Sequence, residues 1–354
     1  MEKYGLIMAG GNGTRFWPMS RKKRPKQFLN LSNKLPLIYE IFEHLAMIIP
    51  REKIFIITNI EYKKLVMETF NYSFPESNII CEPLARNTAV CILYSLLKIK
   101  HIYGNGSIVI VPSDSYIGNN KLFCRNINDA LNYIEQSNDI ITLGIKPKFP
   151  ATGYGYIKYS NSMQTIKKVL EFKEKPTYET AVEYVKSKEY VWNSGIFISN
   201  ILSLIENYKN FLPVMYEQLI KNNTYIETLD EYHKLKQLYP LLENISIDKG
   251  IMEKTSQIKV IMADFIWDDI GSWDKLKVYH KEDRKGNIFV SKHVDIDTEN
   301  TIFYSKDKMI ATLGLKNIVI VEHDGVILVC DKGRVQDIGK ITEKLKKEDK
   351  EKYL

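Results

Sequence analysis

Between Leu6 and Phe28 the chain reads LIMAGGNGTRFWPMSRKKRPKQF, and no other stretch constrains its fold so strongly. The apolar run Leu6 to Ala9 has the composition of a buried strand. It stops at Gly10, Gly11, Asn12 and Gly13, with Thr14 behind them. Glycines leave backbone amides bare, and bare amides at a strand's end can cradle an anion. Arg15, Arg21, Lys22, Lys23, Arg24 and Lys26 follow closely, and no Asp or Glu occurs between Lys3 and Tyr39. Such a segment suits a ligand with several negative charges. It is not a Walker loop, which needs Gly-Lys-Ser/Thr at its end. Nor is it a dinucleotide fingerprint, because Phe16 stands where a third glycine belongs.

The elements that follow alternate. Ile38 to Ile48 spaces its apolar residues as a helix, Lys53 to Thr58 reads as a buried strand and Tyr62 to Phe70 as another helix. That order builds a parallel sheet covered on both faces, and a glycine turn after its first strand opens at the carboxyl ends, where ligands bind. From Ile79 come a strand, Pro83 and a helix with Asn87 and Thr88 as capping candidates and Arg86 at its mouth. The strand from Ser107 delivers Asp114, a metal-ligand candidate facing the basic loop or an ordinary turn aspartate. Val169 to Pro176 ends in Glu174 and Lys175, which can enter a cleft or form a surface pair. Asn200 to Lys221 and Thr228 to Leu242 have helical spacing, and FIWDDIGSW from Phe265 ends a strand in Asp268 and Asp269. From about Arg284 short strands with turn signals replace the helices until Ile338, and the tail from Lys340 reads as a solvated, partly frayed helix.

Composition bounds the partners. At 354 residues and 44% apolar, the chain has room for one large domain and a smaller one. A net charge of +7, with lysines spread along the whole sequence, suits small anionic substrates and not nucleic acid. Cys81, Cys91, Cys124 and Cys330 lack Cys-x-x-Cys spacing and the histidines are scattered, which predicts neither a disulfide framework nor a zinc site. Apolar runs are only strand-length, and no basic region precedes a long apolar segment at the N-terminus. Neither a signal peptide nor a membrane span is expected.

Gly10 to Phe28 is similar to the signature Gly-Gly-x-Gly-Thr-Arg-x-Trp-Pro-x-Ser-Arg-x-x-x-Pro-Lys-Gln-Phe of the mannose-1-phosphate guanylyltransferases, with Trp17, Pro18, Pro25 and Gln27 in place. Further motifs arrive in that family's order: EPLARNT from Glu82, PSD at Asp114 with Ser115 where a histidine is usual, FKEKP from Phe172, WNSGIF from Trp192, and WDDIGSW from Trp267. SIDKGIMEK from Ser246 resembles another family motif, departing at Lys249 and Gly250, and no chemistry is assigned to it.

The resemblance implies an α/β fold, a Rossmann-like mixed, mainly parallel sheet of the nucleotide-diphospho-sugar transferase type, with a small β-rich C-terminal domain. Residues 1–283 would be catalytic and 284–354 the appendage, with no room for a sugar-isomerase domain. The implied activity is GMP transfer from GTP to mannose 1-phosphate. Gly10, Gly11, Asn12, Gly13, Thr14, Glu82, Arg86, Asn87 and Thr88 would bind the nucleotide, while Arg15, Lys26 and Lys175 would act on the phosphates. Gly153, Tyr154, Gly155, Glu174, Lys175 and Asn193 would line the sugar phosphate site, and Asp114 and Asp269 would hold Mg2+, with Mn2+ as a substitute. A cytoplasmic homodimer is expected, without nucleic-acid or membrane partners. Two other readings are a pyrophosphorylase for a different hexose 1-phosphate or nucleoside triphosphate, and a non-catalytic sugar-nucleotide sensor.

Overall fold

Runs of aliphatic and β-branched residues between turns make the strands of a central sheet, seen here in a computed structural model that describes all residues except Asn12, Asn33 and residues 222–224. In chain order the strands are β1 (Lys3–Ala9), β2 (Ile54–Asn59), β3 (Ile79–Glu82), β4 (Ser107–Pro112), β5 (Tyr116–Gly118), β6 (Ile140–Ile145), β7 (Tyr156–Tyr159), β8 (Ile166–Lys173), β9 (Tyr190–Asn200), β10 (Ile258–Met262) and β11 (Ile266–Asp268). Nine of them form one sheet in the order β3-β2-β1-β4-β9-β6-β10-β8-β7. β1 to β4 run parallel, β9 enters antiparallel between β4 and β6, and β8 and β7 close the far edge antiparallel.

Helices cover both faces, which is why β4 and β6 are buried along almost their whole length. On one face pack α1 (Leu37–Ala46), α2 (Lys63–Thr69), α4 (Asn120–Ile134) and α5 (Tyr178–Ser187). On the other lie α3 (Asn87–Tyr103), α6 (Ile201–Phe211), α7 (Pro213–Ile220) and α8 (Glu231–Leu238). The helix expected over 200–221 is two helices, because Pro213 has no amide hydrogen to continue the first and starts the second at its N-terminal turn. The helix expected over 228–242 is shorter, giving way to a 3-10 turn at Tyr239–Leu241.

Beyond this body, β12 (Ile288–Ile296), β13 (Ile302–Leu313), β14 (Ile318–His323) and β15 (Val326–Asp331) form a separate four-stranded sheet, followed by α9 (Ile338–Lys347). β12, β13 and β14 are parallel neighbours joined by short turns, so the chain winds in coils and does not reverse as in a hairpin. Asn287 bridges consecutive coils, its Nδ2 donating to Thr298 O at 2.9 Å and its Oδ1 accepting from Thr301 N at 3.0 Å. The tail is anchored, not frayed: Trp17 Nε1 donates to Tyr353 O at 2.8 Å. Phe16, Trp17, Leu29 and Trp273 share one apolar core with Ile288, Ile302, Val319 and Ile338.

Candidate active site

The turn after β1 is shaped by Gly13, whose φ of 55° is one that side chains rarely adopt. A Cβ there would stand 2.2 Å from Lys26 Cβ, so the loop closes directly onto that lysine. Gly10 and Gly11 face open space, where an added Cβ meets nothing within 4 Å and a ligand can approach the backbone. Asn12 lies outside the described residues. Gln27 is buried and fixes the end of β1, its Nε2 donating to Ala9 O at 3.0 Å beside the Thr58 hydroxyl at 2.8 Å.

Lys26 is only 5% exposed. Its Nζ donates to Asp114 Oδ2 at 3.0 Å and to Asp269 O at 2.5 Å, which brings three sequence-predicted residues together at one ammonium. The sheet itself does not join the two aspartates. Asp114 precedes β5 and Asp269 follows β11, and these short strands pair antiparallel in their own ribbon with Asp268 opposite Tyr116. Asp268 is turned aside, its Oδ1 accepting from Ile270 N at 2.8 Å. Burial raises its pKa.

Thr14 and Arg15 start a 3-10 turn and are exposed. Arg15 Nη1 donates to Gln336 Oε1 at 2.9 Å, and Gln336 Nε2 donates to Ser272 Oγ at 2.7 Å. The Ser272 hydroxyl donates in turn to the Asp274 carboxylate. Gln336 comes from the C-terminal unit, and no motif singled it out.

The donor set at the ribbon suits a hard cation. Among the described residues no group of three or more His, Cys, Asp or Glu side chains could hold an ion. Mg2+, however, asks a protein for only one or two carboxylates and takes its remaining oxygens from phosphates and water. The Asp114 side chain is 41% exposed, so it can serve in that way.

On the other side of the cleft, Gly155 permits a close approach: a Cβ there would lie 2.7 Å from Glu174 Oε2 and 3.3 Å from Asn193 Cβ. Tyr154 does not turn to these groups; its hydroxyl donates to Asp269 Oδ1 at 2.6 Å, linking the two halves of the site. Burial first, then the Asp269 charge, hold that phenol well above its usual range, so it stays a donor. Gly153 faces open space. Lys175 has a φ of 47° and a 61% exposed side chain whose Nζ is 3.3 Å from Glu174 Oε1.

Two residues of this half escaped the sequence reading. Asp248 Oδ1 accepts from Asn193 Nδ2 at 2.8 Å, and Glu253 Oε1 accepts from Glu174 N at 2.8 Å. Burial, then the nearby Glu174 charge, push Asp248 up to about 7. Both belong to the SIDKGIMEK motif, so the signal was present and no chemistry had been attached to it.

The EPLARNT motif lies at the same rim, since Ala9 pairs with Thr58 and Asn59 with Glu82. Glu82 nevertheless points inward: it is 5% exposed, its Oε1 has no partner among the described residues, and burial pushes it up to about 8. Arg86 Nε and Nη2 donate to Tyr239 O at 3.1 Å and Pro240 O at 2.7 Å. The expected caps are not made. Asn87 has a φ of 63° and, among the described residues, its side chain accepts from Thr88 N alone, while Thr88 Oγ1 accepts from Ile247 N at 2.9 Å. This motif thus ties the start of α3 to the 239–247 segment instead of closing the helix on itself.

Residues 4–286 match the model of the nucleotidyl transferase family, and residues 291–345 match that of the MannoseP isomerase/GMP-like beta-helix domain. A mannose-1-phosphate guanylyltransferase of Escherichia coli is 32% identical over 361 aligned positions, covering 98% of this chain and 77% of that protein. A putative mannose-1-phosphate guanylyltransferase of Vibrio cholerae is 33% identical over 98% of this chain and 75% of its own length. A solved structure described as a mannose-1-phosphate geranyltransferase from Thermus thermophilus superposes with a TM-score of 0.88 at 30% identity, covering 98% of this chain and 100% of that one.

Proposed function

The chain belongs to the nucleotidyl transferase family of enzymes, and from that premise we propose that it transfers GMP from GTP to α-D-mannose 1-phosphate, giving GDP-mannose and pyrophosphate. The observation that carries this reading is the meeting of Lys26, Asp114 and Asp269 at one point, beside a second cluster of Glu174, Asn193 and Gly155 suited to sugar hydroxyls. Tyr154 connects the two.

The sugar phosphate is already an anion, so in-line attack on the α-phosphorus of GTP needs no side-chain nucleophile. The chain's task is to position and neutralise. The amides of Gly10, Gly11 and Gly13 hold the nucleotide, with Thr14 at its edge. Arg15 and Lys26 face the departing phosphates, and Lys175 the incoming one. Arg86, Asn87 and Thr88 fix the rim against which base and ribose rest, while the buried Glu82 acts through its packing. Glu174 and Asn193 take sugar hydroxyls, with Asp248 holding the Asn193 amide and Gly153 and Gly155 leaving room.

Enzymes of this family work with a divalent metal ion. We assign Mg2+, with Mn2+ as a substitute, to Asp114 and Asp269, where it would neutralise charge shared by the reacting phosphates. Asp269 is oriented for this by Tyr154.

We divide the chain into a catalytic domain, 1–283, and an appendage, 284–354. We also infer a homodimer: Val294, Ile296, Met309 and Leu313 expose apolar side chains on paired strands of the appendage, a surface of the kind that a partner covers. No helix among the described residues is long and apolar enough to cross a membrane. The charged substrates and the free cysteines fit a cytoplasmic setting.

The test is pyrophosphate release from purified chain, Mg2+, one nucleoside triphosphate and one hexose 1-phosphate. GTP with mannose 1-phosphate should be the best pair. Glucose 1-phosphate should be slower by the roughly 1 to 3 kcal/mol that an unpaired hydroxyl site costs. Preference for UTP or dTTP, or no release from any pair, would overturn the assignment.

A further inference from the structure

A cavity of about 600 Å3 lies between the nucleotide loop and the C-terminal sheet, and it shares no lining residue with the site described above. Its volume is within the range of small-molecule sites. Buried Met19, Leu29, Val290 and Tyr304 give it an apolar, partly aromatic floor.

The rim is cationic. Arg24, Lys292 and Lys306 all line the cavity, and among the described residues none of them pairs with a carboxylate. Among the described residues the Arg24 side chain makes one long bond, from Nε to Phe28 O at 3.4 Å. No Asp or Glu lines the cavity. The carboxylate of Glu322, beside the lining residue His323, is engaged by the Ser305 hydroxyl at 2.7 Å. Like charges brought to one wall repel unless an anion joins them.

Asn30 and Ser291 are further lining residues, although Asn30 Oδ1 and Ser291 Oγ themselves are shielded from the cavity. Unpaired cations and a partly aromatic floor thus occur around one half-open cavity, and a single class of ligand answers both.

We propose that this cavity, where Arg24, Lys292 and Lys306 surround the apolar floor of Met19, Leu29 and Tyr304, binds an organic phosphate of the nucleoside diphosphate class. The phosphates meet the cations, and the ring portion lies on the floor. The occupant bridges the nucleotide loop to the C-terminal sheet. Arg24 is a variable position of the loop signature and Lys292 and Lys306 lie outside it, so the site is separate from the catalytic groups.

Calorimetric titration of the full chain with ADP tests this, with adenosine and inorganic pyrophosphate as partial probes. ADP is expected to bind wild type, to bind Lys292→Ala/Lys306→Ala and Arg24→Ala each about tenfold or more weakly, and to bind Lys26→Ala as it binds wild type. Absence of ADP binding to wild type at millimolar concentration overturns the proposal. So does loss of binding in Lys26→Ala with none in the lysine double variant, which would place ADP in the catalytic pocket. Adenosine or pyrophosphate binding as tightly as ADP also overturns it, by removing the need for phosphate or for the ring. The double variant should release pyrophosphate from GTP and mannose 1-phosphate at the wild-type rate within about twofold, since neither lysine touches the catalytic groups. A wild type that releases none sinks the catalytic reading alone and leaves the ADP result to decide this one.

Discussion

Glu82 shows what a single buried acid does to this molecule. Its carboxyl is 5% exposed, has an unpartnered oxygen and is pushed from the ordinary 4.5 up to about 8 because burial penalises the charge. Below pH 4.5 the folded and unfolded chains both hold the proton. Between 4.5 and 8 the unfolded chain releases it while the folded one keeps it, so this residue makes stability fall as pH rises through that window. Asp248 adds a contribution of the same sign between 3.8 and about 7. Glu82→Gln should therefore gain stability over wild type progressively from about pH 5 to about pH 8. Urea unfolding at several pH values reads this out, and parallel curves for the two proteins would contradict it. Sequence placed Glu82 in a nucleotide motif but could not show which way it points, because that depends on Tyr239, a polar neighbour from a distant segment, and on how α3 folds back to bring Cys91 beside it.

Among the elements, the pairing of β5 with β11 brings the segment after β4, which holds Asp114, beside the segment after β11, which holds Asp269. Apolar runs and turn residues made most strands and helices legible, and the glycines after β1 marked a turn open to a ligand. The ribbon was not legible, because two three-residue strands that far apart in sequence leave no periodic signal; Asp114 does follow a main-sheet strand, β4, as its sequence suggests, whereas the strand before Asp269 belongs to the ribbon. Pro213 could have been read as the break between α6 and α7, whereas the missing cap of α3 follows from Thr88 being taken by Ile247 N, a tertiary contact. Asp114→Asn and Asp269→Asn should each lower turnover at least ~100-fold. GTP binding without metal should change little, because the loop amides stay in place. Near-normal rates in either variant at saturating Mg2+ would show that the ribbon is structural.

At the scale of the whole molecule, the C-terminal unit is continuous with the catalytic body, sharing a core built on Phe16, Trp273 and Ile338 and reaching the nucleotide loop through Gln336. The polarity of that connection is fixed. Asp274 accepts from Ser272, Ser272 accepts from the Gln336 amide nitrogen, and the Gln336 carbonyl accepts from Arg15. An amide oxygen can orient a guanidinium without neutralising it, which under the proposed assignment would leave the charge of Arg15 for a triphosphate. Gln336→Glu would place a carboxylate there instead, compete with the phosphates and lose the donor that Ser272 accepts from. It should raise KM for GTP about tenfold, the worth of roughly 1.4 kcal/mol in a charge-assisted hydrogen bond. KM for mannose 1-phosphate should stay unchanged, because Lys175, Glu174 and Asn193 lie in the other half of the site. Gln336→Ala, which frees Arg15 without opposing it, should have a smaller effect on the same constant. Steady-state kinetics with each substrate varied in turn, on variants of matched thermal stability, separates these outcomes. Equal effects of the two variants, or an effect confined to mannose 1-phosphate, would mean that the C-terminal unit does not set the charge of the nucleotide loop.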